Sequence, residues 1–233
     1  MGKSVTNPIY EPKGKAKEYG DYALNIYTGC PHRCFYCFAP NVLRKDREKF
    51  HTEIEPRPGI VEATRNQIER QKITGKTIHL CFTADPYPIG YDSSATREII
   101  KILKETGNHV QILTKGDGSR DLDLLDRNDR YGITIDGSEV QNSETFARGY
   151  GLYKANELGI QTWISFEPVL KASVVLAYLK QIAGKGISVK IGKLNYHPSN
   201  IDWKKFGNEA EALCKELGIE YYIKESLRAE MNK

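Results

Sequence analysis

The chain has 233 residues, of which 39% are hydrophobic and 27% are charged, and 34 basic against 30 acidic residues give a formal charge of +4. This composition is typical of one ordinary globular domain or of a short βα barrel. No apolar run approaches the ~20 residues that cross a bilayer, and the first residues contain no signal-peptide core, so we expect a cytoplasmic protein without a membrane partner.

Residues 1–20 are basic and interrupted by proline and glycine, which predicts an N-terminal arm lying over the rest of the chain. No linker, repeat or low-complexity segment divides residues 21–233. We therefore expect this region to form a single domain.

Three of the five cysteines form the motif Cys30-Pro31-His32-Arg33-Cys34-Phe35-Tyr36-Cys37. Thiols at this density usually hold a metal centre, and disulfides are rare in intracellular proteins. Structural zinc normally takes four ligands, for which His32 and His51 are the nearest further candidates. A 4Fe–4S cluster held by three thiolates leaves one iron open to another ligand. The spacing favours the cluster, with zinc and metal-free cysteines as the alternatives.

Hydrophobic runs with β character alternate with helical patterns along the rest of the chain. The predicted strands are 22–28, 77–83, 109–114, 131–136, 160–166, 187–192 and 219–223. The predicted helices are 58–73, 93–106, 119–127, 144–158, 171–183 and 202–217. The charged stretch 41–57 is predicted to be a solvated loop, with a substrate-contacting loop as the alternative. The alternation predicts a parallel sheet whose outer side is covered by helices.

Side chains along these strands separate into one apolar and one polar set. In the strand 77–83, His79, Cys81 and Thr83 form the polar set, and the residues between them are apolar. A closed, packed barrel would have apolar residues on both faces. An antiparallel sheet with one wet face would alternate in the same way, but the intervening helices argue against it. We expect an open barrel with a ligand-filled interior.

Polar residues also follow the predicted strands, where α/β proteins bind their ligands. The segments are Thr83-Ala84-Asp85, Thr114-Lys115, Thr134-Ile135-Asp136, Ser165-Phe166-Glu167 and Lys193-Leu194-Asn195. Carboxylates suit an ammonium group and ribose hydroxyls, and a lysine suits a carboxylate. This ring therefore suits a zwitterionic ligand that carries a ribose, and solvated rim residues are the alternative interpretation.

The cysteine spacing, with Tyr36 before the third cysteine, resembles the signature of the radical S-adenosylmethionine (SAM) superfamily. The segments Cys81-Phe82-Thr83-Ala84-Asp85-Pro86 and Ile112-Leu113-Thr114-Lys115 resemble its spore photoproduct lyase-like branch. The resemblance covers nearly the whole chain and implies an α/β fold, a partial (β/α)6 barrel with a short additional C-terminal strand and helix. It also implies a lyase-like enzyme in which a 4Fe–4S cluster on Cys30, Cys34 and Cys37 cleaves SAM to a 5′-deoxyadenosyl radical. An electron donor such as flavodoxin or ferredoxin is the implied partner.

The resemblance further implies which residues contact SAM. Thr83, Ala84 and Asp85 would lie at its amino group, and Lys115 would pair with its carboxylate. Thr134 or Asp136 would approach the ribose or the methionyl end, Ser165 and Glu167 the adenosine, and Tyr36 and Phe38 would flank the cluster and the adenine.

Cys81 has a separate expected role, because the lyase uses a cysteine to give a hydrogen atom to the substrate radical. Strand parity places Cys81 on the same side as Thr83, one layer below SAM. The alternative is a small buried hydrophobe, which is what a free cysteine usually is. Cys214, in the last long helix, is predicted to be packing.

By analogy with the lyase, the predicted substrate is a nucleic-acid base or nucleotide. The chain departs from that family in being shorter, in lacking an arginine–aromatic stripe for DNA and in having no second cysteine cluster. A small molecule or a peptide is the alternative substrate. A non-catalytic iron–sulfur or zinc protein is the alternative from another class.

Overall fold

The computed structural model describes residues 6–139 and 142–233. The chain divides into two compact units, one ending at Arg130 and the other beginning at Tyr131. This division does not coincide with the boundary expected at residue 20. Within the described residues, no helix has the length and hydropathy that a membrane span requires.

The first unit contains four strands in the order β1-β2-β3-β4. They are β1 (Ile9–Tyr10), β2 (Tyr22–Leu24), β3 (Thr77–Leu80) and β4 (His109–Thr114). Strands β2, β3 and β4 are parallel, whereas β1 pairs antiparallel with β2. Part of the segment predicted as a covering arm is therefore an edge strand of the sheet.

The helices of the first unit include two that the sequence reasoning missed. They are α1 (Ala39–Leu43), α2 (Arg47–Thr52), α3 (Ile60–Gln71) and α4 (Ser94–Glu105), with 3₁₀ helices at Gly14–Glu18 and Ser119–Leu124. The prediction of a solvated loop over 41–57 is wrong, because α1 and α2 lie there and Phe50 is fully buried. The helix expected over 119–127 ends early, because the Asp129 carboxylate accepts the Asp126 N–H.

The second unit repeats the alternation of strands and helices. Its strands, in the order β5-β6-β7-β8, are β5 (Arg130–Thr134), β6 (Gln161–Val169), β7 (Ser188–Lys193) and β8 (Tyr221–Ile223). Its helices are α5 (Ser143–Glu157), α6 (Ala172–Ile182), α7 (Trp203–Glu216) and α8 (Glu225–Met231). Strands β6, β7 and β8 are parallel. The predicted α/β class is confirmed.

The polar faces of β3 and β4 are filled by protein groups. His79 and Gln111 are paired in the strand register and are both buried. The Gln111 side-chain amide donates to His79 Nδ1 (3.0 Å) and to the Tyr19 carbonyl (2.8 Å), while Phe82 stacks on His79 with ring centroids 4.2 Å apart. The polar side chains His79 and Gln111 are thus paired with each other and with the Tyr19 carbonyl, and no ligand is needed to satisfy these hydrogen bonds.

Candidate active site

The three cysteines of the motif lie in a loop that follows β2, half-buried and without disulfides. The Cys30 N–H donates to the Phe50 carbonyl, and the Cys37 N–H donates to the Cys34 carbonyl (both 3.0 Å). A Cβ on Gly29 would lie 2.3 Å from the Phe50 carbonyl oxygen. Only glycine therefore allows this loop to approach α2 so closely.

Helix α2 holds the cysteine loop through two side chains on one face. The Arg47 guanidinium donates to the carbonyls of Cys37 (2.9 Å) and Cys34 (3.5 Å), and His51 Nδ1 donates to the Cys30 carbonyl (2.7 Å). Arg47 and His51 are four residues apart, the spacing that puts two side chains on one helix face. That spacing, together with the N-cap at Asp46, was the signal available in the sequence.

The thiols form a site that would be strongly anionic if all three ionised. Burial raises the pKa of Cys30 well above its usual value, and the negative charge of Asp85 adds to this effect. Burial likewise raises the pKa of Cys37, and the neighbouring thiols raise the pKa of both groups further. A bound metal centre would compensate this repulsion, as metal binding to thiols requires their deprotonation.

A second group of candidate metal ligands lies outside the cysteine loop. Among the described residues, His109, Asp126 and Asp129 each offer one ligand atom, and these atoms all lie within 4.8 Å of one another.

That compact acidic group has a different role. The Lys104 ammonium pairs with Asp126 (2.8 Å) and with Asp129 (2.5 Å), and the buried Asp129 also accepts the Val110 N–H. The ammonium offsets one of the two negative charges, and these contacts fix the turn before β5. The group is therefore part of the scaffold.

Asp85 connects the cysteine loop to the ends of β3 and β4. Its buried carboxylate accepts hydrogen bonds from His32 Nε2 (3.0 Å), the Thr114 hydroxyl (2.5 Å), the Lys115 N–H (2.7 Å) and the Tyr87 N–H (2.8 Å). Burial acts to raise the pKa of Asp85, but His32 and the other donors outweigh it, so the pKa lies below its usual value. The charged carboxylate is therefore the stable form.

This network occupies the Asp85 carboxylate with protein donors. An ionised carboxylate has about four lone-pair sites, and four protein donors already occupy them. His32, which sequence reasoning considered only as a zinc ligand, lies between Cys30 and Cys34 and brings the cysteine loop to this carboxylate. Asp85 thus links the cysteine loop to the ends of β3 and β4.

Two other predicted site residues of the first unit lie together. The Lys115 ammonium lies over the Tyr36 ring, 5.4 Å from its centroid. A Cβ on Gly116 would lie 2.0 Å from the Tyr87 carbonyl oxygen, so glycine is needed where the β4 end meets the 83–88 loop. The part of the cysteine loop next to Cys37 therefore lies against the end of β4.

Thr83 and Ala84 lie in the loop that follows β3. Asn25, just after β2, accepts the N–H groups of Phe82 (2.8 Å) and Thr83 (2.9 Å) and fixes this loop. The Thr83 hydroxyl oxygen is buried, and within the described part of the chain it has no hydrogen-bond partner. An unpaired buried hydroxyl is unfavourable unless a ligand satisfies it.

The parity argument for Cys81 is wrong in its premise. Strand β3 ends at Leu80, and Cys81 has a left-handed backbone (φ 67°), so its side chain does not continue the alternation. The buried sulfur accepts the Ile26 N–H at 3.4 Å, and burial raises the pKa of Cys81 to about 12. The residue therefore stays a protonated thiol near neutral pH.

We expect Cys81→Ala to lower the free energy of unfolding by about 1–2 kcal/mol, because it removes a buried sulfur and leaves the Ile26 N–H without its acceptor. Urea unfolding of the metal-free protein measures this. The variant should still cleave SAM after reconstitution, because the sulfur is not among the cluster ligands. Loss of SAM cleavage with an intact cluster spectrum would show that Cys81 acts earlier than hydrogen donation.

In the second unit, Thr134 ends β5 and Asp136 follows it, and both are buried. The Asp136 carboxylate accepts the N–H (2.8 Å) and the hydroxyl (2.5 Å) of Ser138, while Glu139 accepts the N–H groups of Asp136 and Gly137. This pattern fixes a tight turn at the end of β5.

Ser165 and Glu167 lie on β6, and Glu167 is one half of an ion pair. Lys224, directly after β8, is buried and donates to the Glu167 carboxylate at 2.7 Å. Gly192 lies on β7, and a Cβ there would be 2.9 Å from Glu167 Cδ. The absence of a side chain at Gly192 therefore leaves room for the Glu167 carboxylate. Lys224 was missed, because no local pattern links residues 57 positions apart.

Replacing Lys224 with methionine should lower the free energy of unfolding by about 3–5 kcal/mol, because the change leaves a carboxylate without its buried partner. Chemical denaturation measures this loss. Lys185→Met, at an exposed lysine of the same unit, is the control and should change the free energy by less than about 0.5 kcal/mol. Equal stabilities of the two variants would show that Glu167 does not depend on Lys224.

The sequence profile of the Radical SAM superfamily matches residues 24–155, which is more than half of the chain and contains the cysteine loop and the Asp85 network. The chain belongs to the radical SAM superfamily.

Two groups of curated relatives are themselves uncharacterised. One, from Methanocaldococcus jannaschii, is 27% identical over 76% of this chain and 69% of its own length. Another, from Mycobacterium tuberculosis, is 33% identical over 53% of this chain. The match with the mycobacterial relative spans only 37% of the length of that relative.

Solved structures of spore photoproduct lyase share the fold of this radical SAM chain. A variant with bound AdoMet and dinucleoside spore photoproduct superposes with a TM-score of 0.66 over 91% of this chain and 78% of its own, at 14% identity. A second variant gives 0.68 at 12% identity, with the same coverage. The predicted partial barrel is thereby confirmed.

Proposed function

We propose that this radical SAM protein is an enzyme that holds a 4Fe–4S cluster on Cys30, Cys34 and Cys37 and binds SAM beside it. The observation that carries this proposal is the three-thiol loop tied through His32 to Asp85, at the ends of β3 and β4. Three protein thiolates leave one iron for a further ligand. When bound, the cluster and SAM would together supply a 5′-deoxyadenosyl radical, which abstracts hydrogen from the substrate.

The chain itself positions these groups. Arg47 and His51 fix the carbonyls of all three cysteines, and Asp85 holds the cysteine loop beside the loop that contains Thr83 and Ala84. The buried Thr83 hydroxyl would find its missing partner on SAM. We propose that Lys115 pairs with the SAM carboxylate and that Tyr36 and Phe38 flank the cluster and the adenine.

Four further SAM contacts are proposed from the resemblance alone. Thr134 or Asp136 would approach the ribose or the methionyl end, and Ser165 and Glu167 the adenosine. Asp136 and Glu167 already have protein partners. We therefore propose that each acts with its partner, Ser138 or Lys224, holding the carboxylate in place.

Cys81 is our proposed hydrogen-atom donor. Its raised pKa keeps it protonated near neutral pH, and an S–H group is the form from which a hydrogen atom can be given. The competing role is a packing residue that accepts the Ile26 N–H. In the Cys81→Ala variant, normal product yield with substrate would support packing, whereas diverted products would support donation.

We propose that the substrate is a nucleic-acid base or nucleotide, because solved lyases of the same fold have been complexed with a dinucleoside. The test incubates the reconstituted enzyme with SAM, dithionite and dinucleoside spore photoproduct, and then identifies the products by mass spectrometry. We expect conversion to thymidine products above a control without enzyme. If SAM is cleaved but the dinucleoside is recovered unchanged, the substrate lies in another class, such as a small molecule or a peptide.

A further inference from the structure

Arg57 lies half-buried in the first unit without an anionic protein partner among the described residues. It follows Pro56, which pairs with Tyr27, and its N–H donates to the Ile26 carbonyl (2.8 Å), so its backbone lies beside the end of β2. The Arg57 Nε is buried, and within the described part of the chain the guanidinium has neither a hydrogen bond nor an ion pair. A buried charge without a partner is unfavourable, so an anionic ligand would stabilise this arrangement.

Tyr10, at the end of β1, is a second donor near Arg57. Its hydroxyl accepts the side-chain N–H of Asn25 (2.8 Å), which leaves the hydroxyl proton available for donation, and the described residues offer no acceptor for it. Burial raises the pKa of Tyr10, so the hydroxyl stays protonated, while the positive charge of Arg57 acts in the opposite direction. The two groups are therefore within electrostatic range of each other. Tyr10 is 36% exposed, so a ligand can reach it from solvent.

Asn25 and Ile26 connect this pair of donors to the loop after β3. Asn25 also accepts the Thr83 N–H (2.9 Å), and the Ile26 N–H donates to the Cys81 sulfur (3.4 Å). The pair therefore lies where the parallel strands β2 and β3 end, which is the side of a sheet on which α/β proteins bind ligands. Thr83 and Cys81, to which SAM binding and hydrogen donation are assigned under the proposed function, belong to the same neighbourhood.

We infer that Arg57 and Tyr10 form an anion site, which binds a phosphate or carboxylate group of the substrate. The inference rests on the proposed function, because it adds a substrate contact to the same site. A guanidinium presents a planar fork of donors that matches a phosphate or a carboxylate, and the phenol adds one further donated hydrogen bond. SAM carries a single carboxylate, to which Lys115 is assigned under the proposed function, so the anion at Arg57 belongs to the substrate.

The test measures calorimetrically how three thymine derivatives bind to the reconstituted protein with SAM and without reductant. Thymidine 5′-monophosphate carries a phosphate, thymine-1-acetate carries a carboxylate, and thymidine carries neither. At least one anionic probe should bind about tenfold more tightly than thymidine, and the tighter of the two identifies the anion. Arg57→Gln should remove this preference, Arg57→Lys should retain part of it, and Tyr10→Phe should reduce it about threefold. The urea midpoint of Arg57→Gln should not fall, because no described protein group loses a side-chain partner.

Arg65→Gln is the matched control, since Arg65 is an exposed arginine of α3 whose loss should change each affinity less than about twofold. The anion site is overturned if neither anionic probe binds more tightly than thymidine, or if Arg57→Gln and Arg65→Gln weaken binding equally. Weaker SAM binding by Arg57→Gln, with unchanged binding of all three probes, would assign Arg57 to the SAM carboxylate and would also overturn the site. Absence of SAM cleavage by the unmodified protein would instead contradict the proposed function, whereas the probe comparison needs no turnover and would still decide the anion site.

Discussion

Replacing Cys30, Cys34 or Cys37 with alanine is expected to abolish cluster binding completely. Anaerobic reconstitution of the unmodified protein should give about four irons per chain, with the broad visible absorbance of an iron–sulfur cluster. The proposed cluster would have three protein ligands, so the loss of any one would leave only two. Iron analysis, visible absorbance and the electron paramagnetic resonance spectrum of the reduced sample measure the effect.

Cys214→Ala provides the matched control for these three variants. Cys214 is a buried thiol in α7, outside the motif, and its replacement removes one sulfur without removing a ligand. It should retain the full iron content and lose about 1 kcal/mol of stability at most. Tight, stoichiometric zinc in the unmodified protein, or normal iron content in all three motif variants, would contradict the assigned ligands.

The second large effect is expected from Asp85→Ala. The change leaves four donors without their acceptor, including His32 in the cysteine loop and two backbone N–H groups. By comparison with other broken buried charge networks, the free energy of unfolding should fall by about 3–5 kcal/mol. Because Asp85 holds both loops, SAM affinity should also fall ten- to a hundredfold, equivalent to about 1.5–3 kcal/mol.

A double-mutant cycle with His32 separates positioning from direct SAM binding. If Asp85 acts through the cysteine loop, His32→Ala should weaken SAM binding as well, and the double variant should lose less than the sum of the single losses. Asp117→Ala is the control, since Asp117 is an exposed aspartate after β4 that accepts only the Ser119 N–H among the described residues. Fully additive effects of the His32 and Asp85 changes on SAM affinity would show that Asp85 contacts SAM independently.

The parts of the fold that could be predicted are those with local signals. Regular alternation of apolar residues predicted strands such as β4, whose bounds are as expected. The cysteine motif could be recognised because all of its ligands lie in one short segment. The parallel sheet covered by helices could be predicted for the same reason, because alternating strands and helices permit few topologies.

The parts that could not be predicted depend on contacts between distant segments. Asp85 was singled out as a residue at a strand end, but only the structure shows that His32, 53 positions earlier, occupies one of its oxygens. Cys81 was placed by strand parity, and a single left-handed residue defeats that argument. The 41–57 stretch looked solvated because it is charged, yet its Arg47 reaches back to the cysteine carbonyls. For Asp85 and Arg47 the contact is with a segment that the local pattern does not contain.

The measurement that tests the central claim most directly is SAM cleavage by the reconstituted protein without any added substrate. The protein, anaerobically loaded with iron and sulfide, is incubated with SAM and dithionite, and 5′-deoxyadenosine and methionine are quantified by chromatography and mass spectrometry. We predict that both products form in equal amounts, and that neither forms with the Cys34→Ala variant treated in the same way. A fully loaded cluster that leaves SAM intact under this strong reductant would contradict radical SAM catalysis and would favour a non-catalytic iron–sulfur protein.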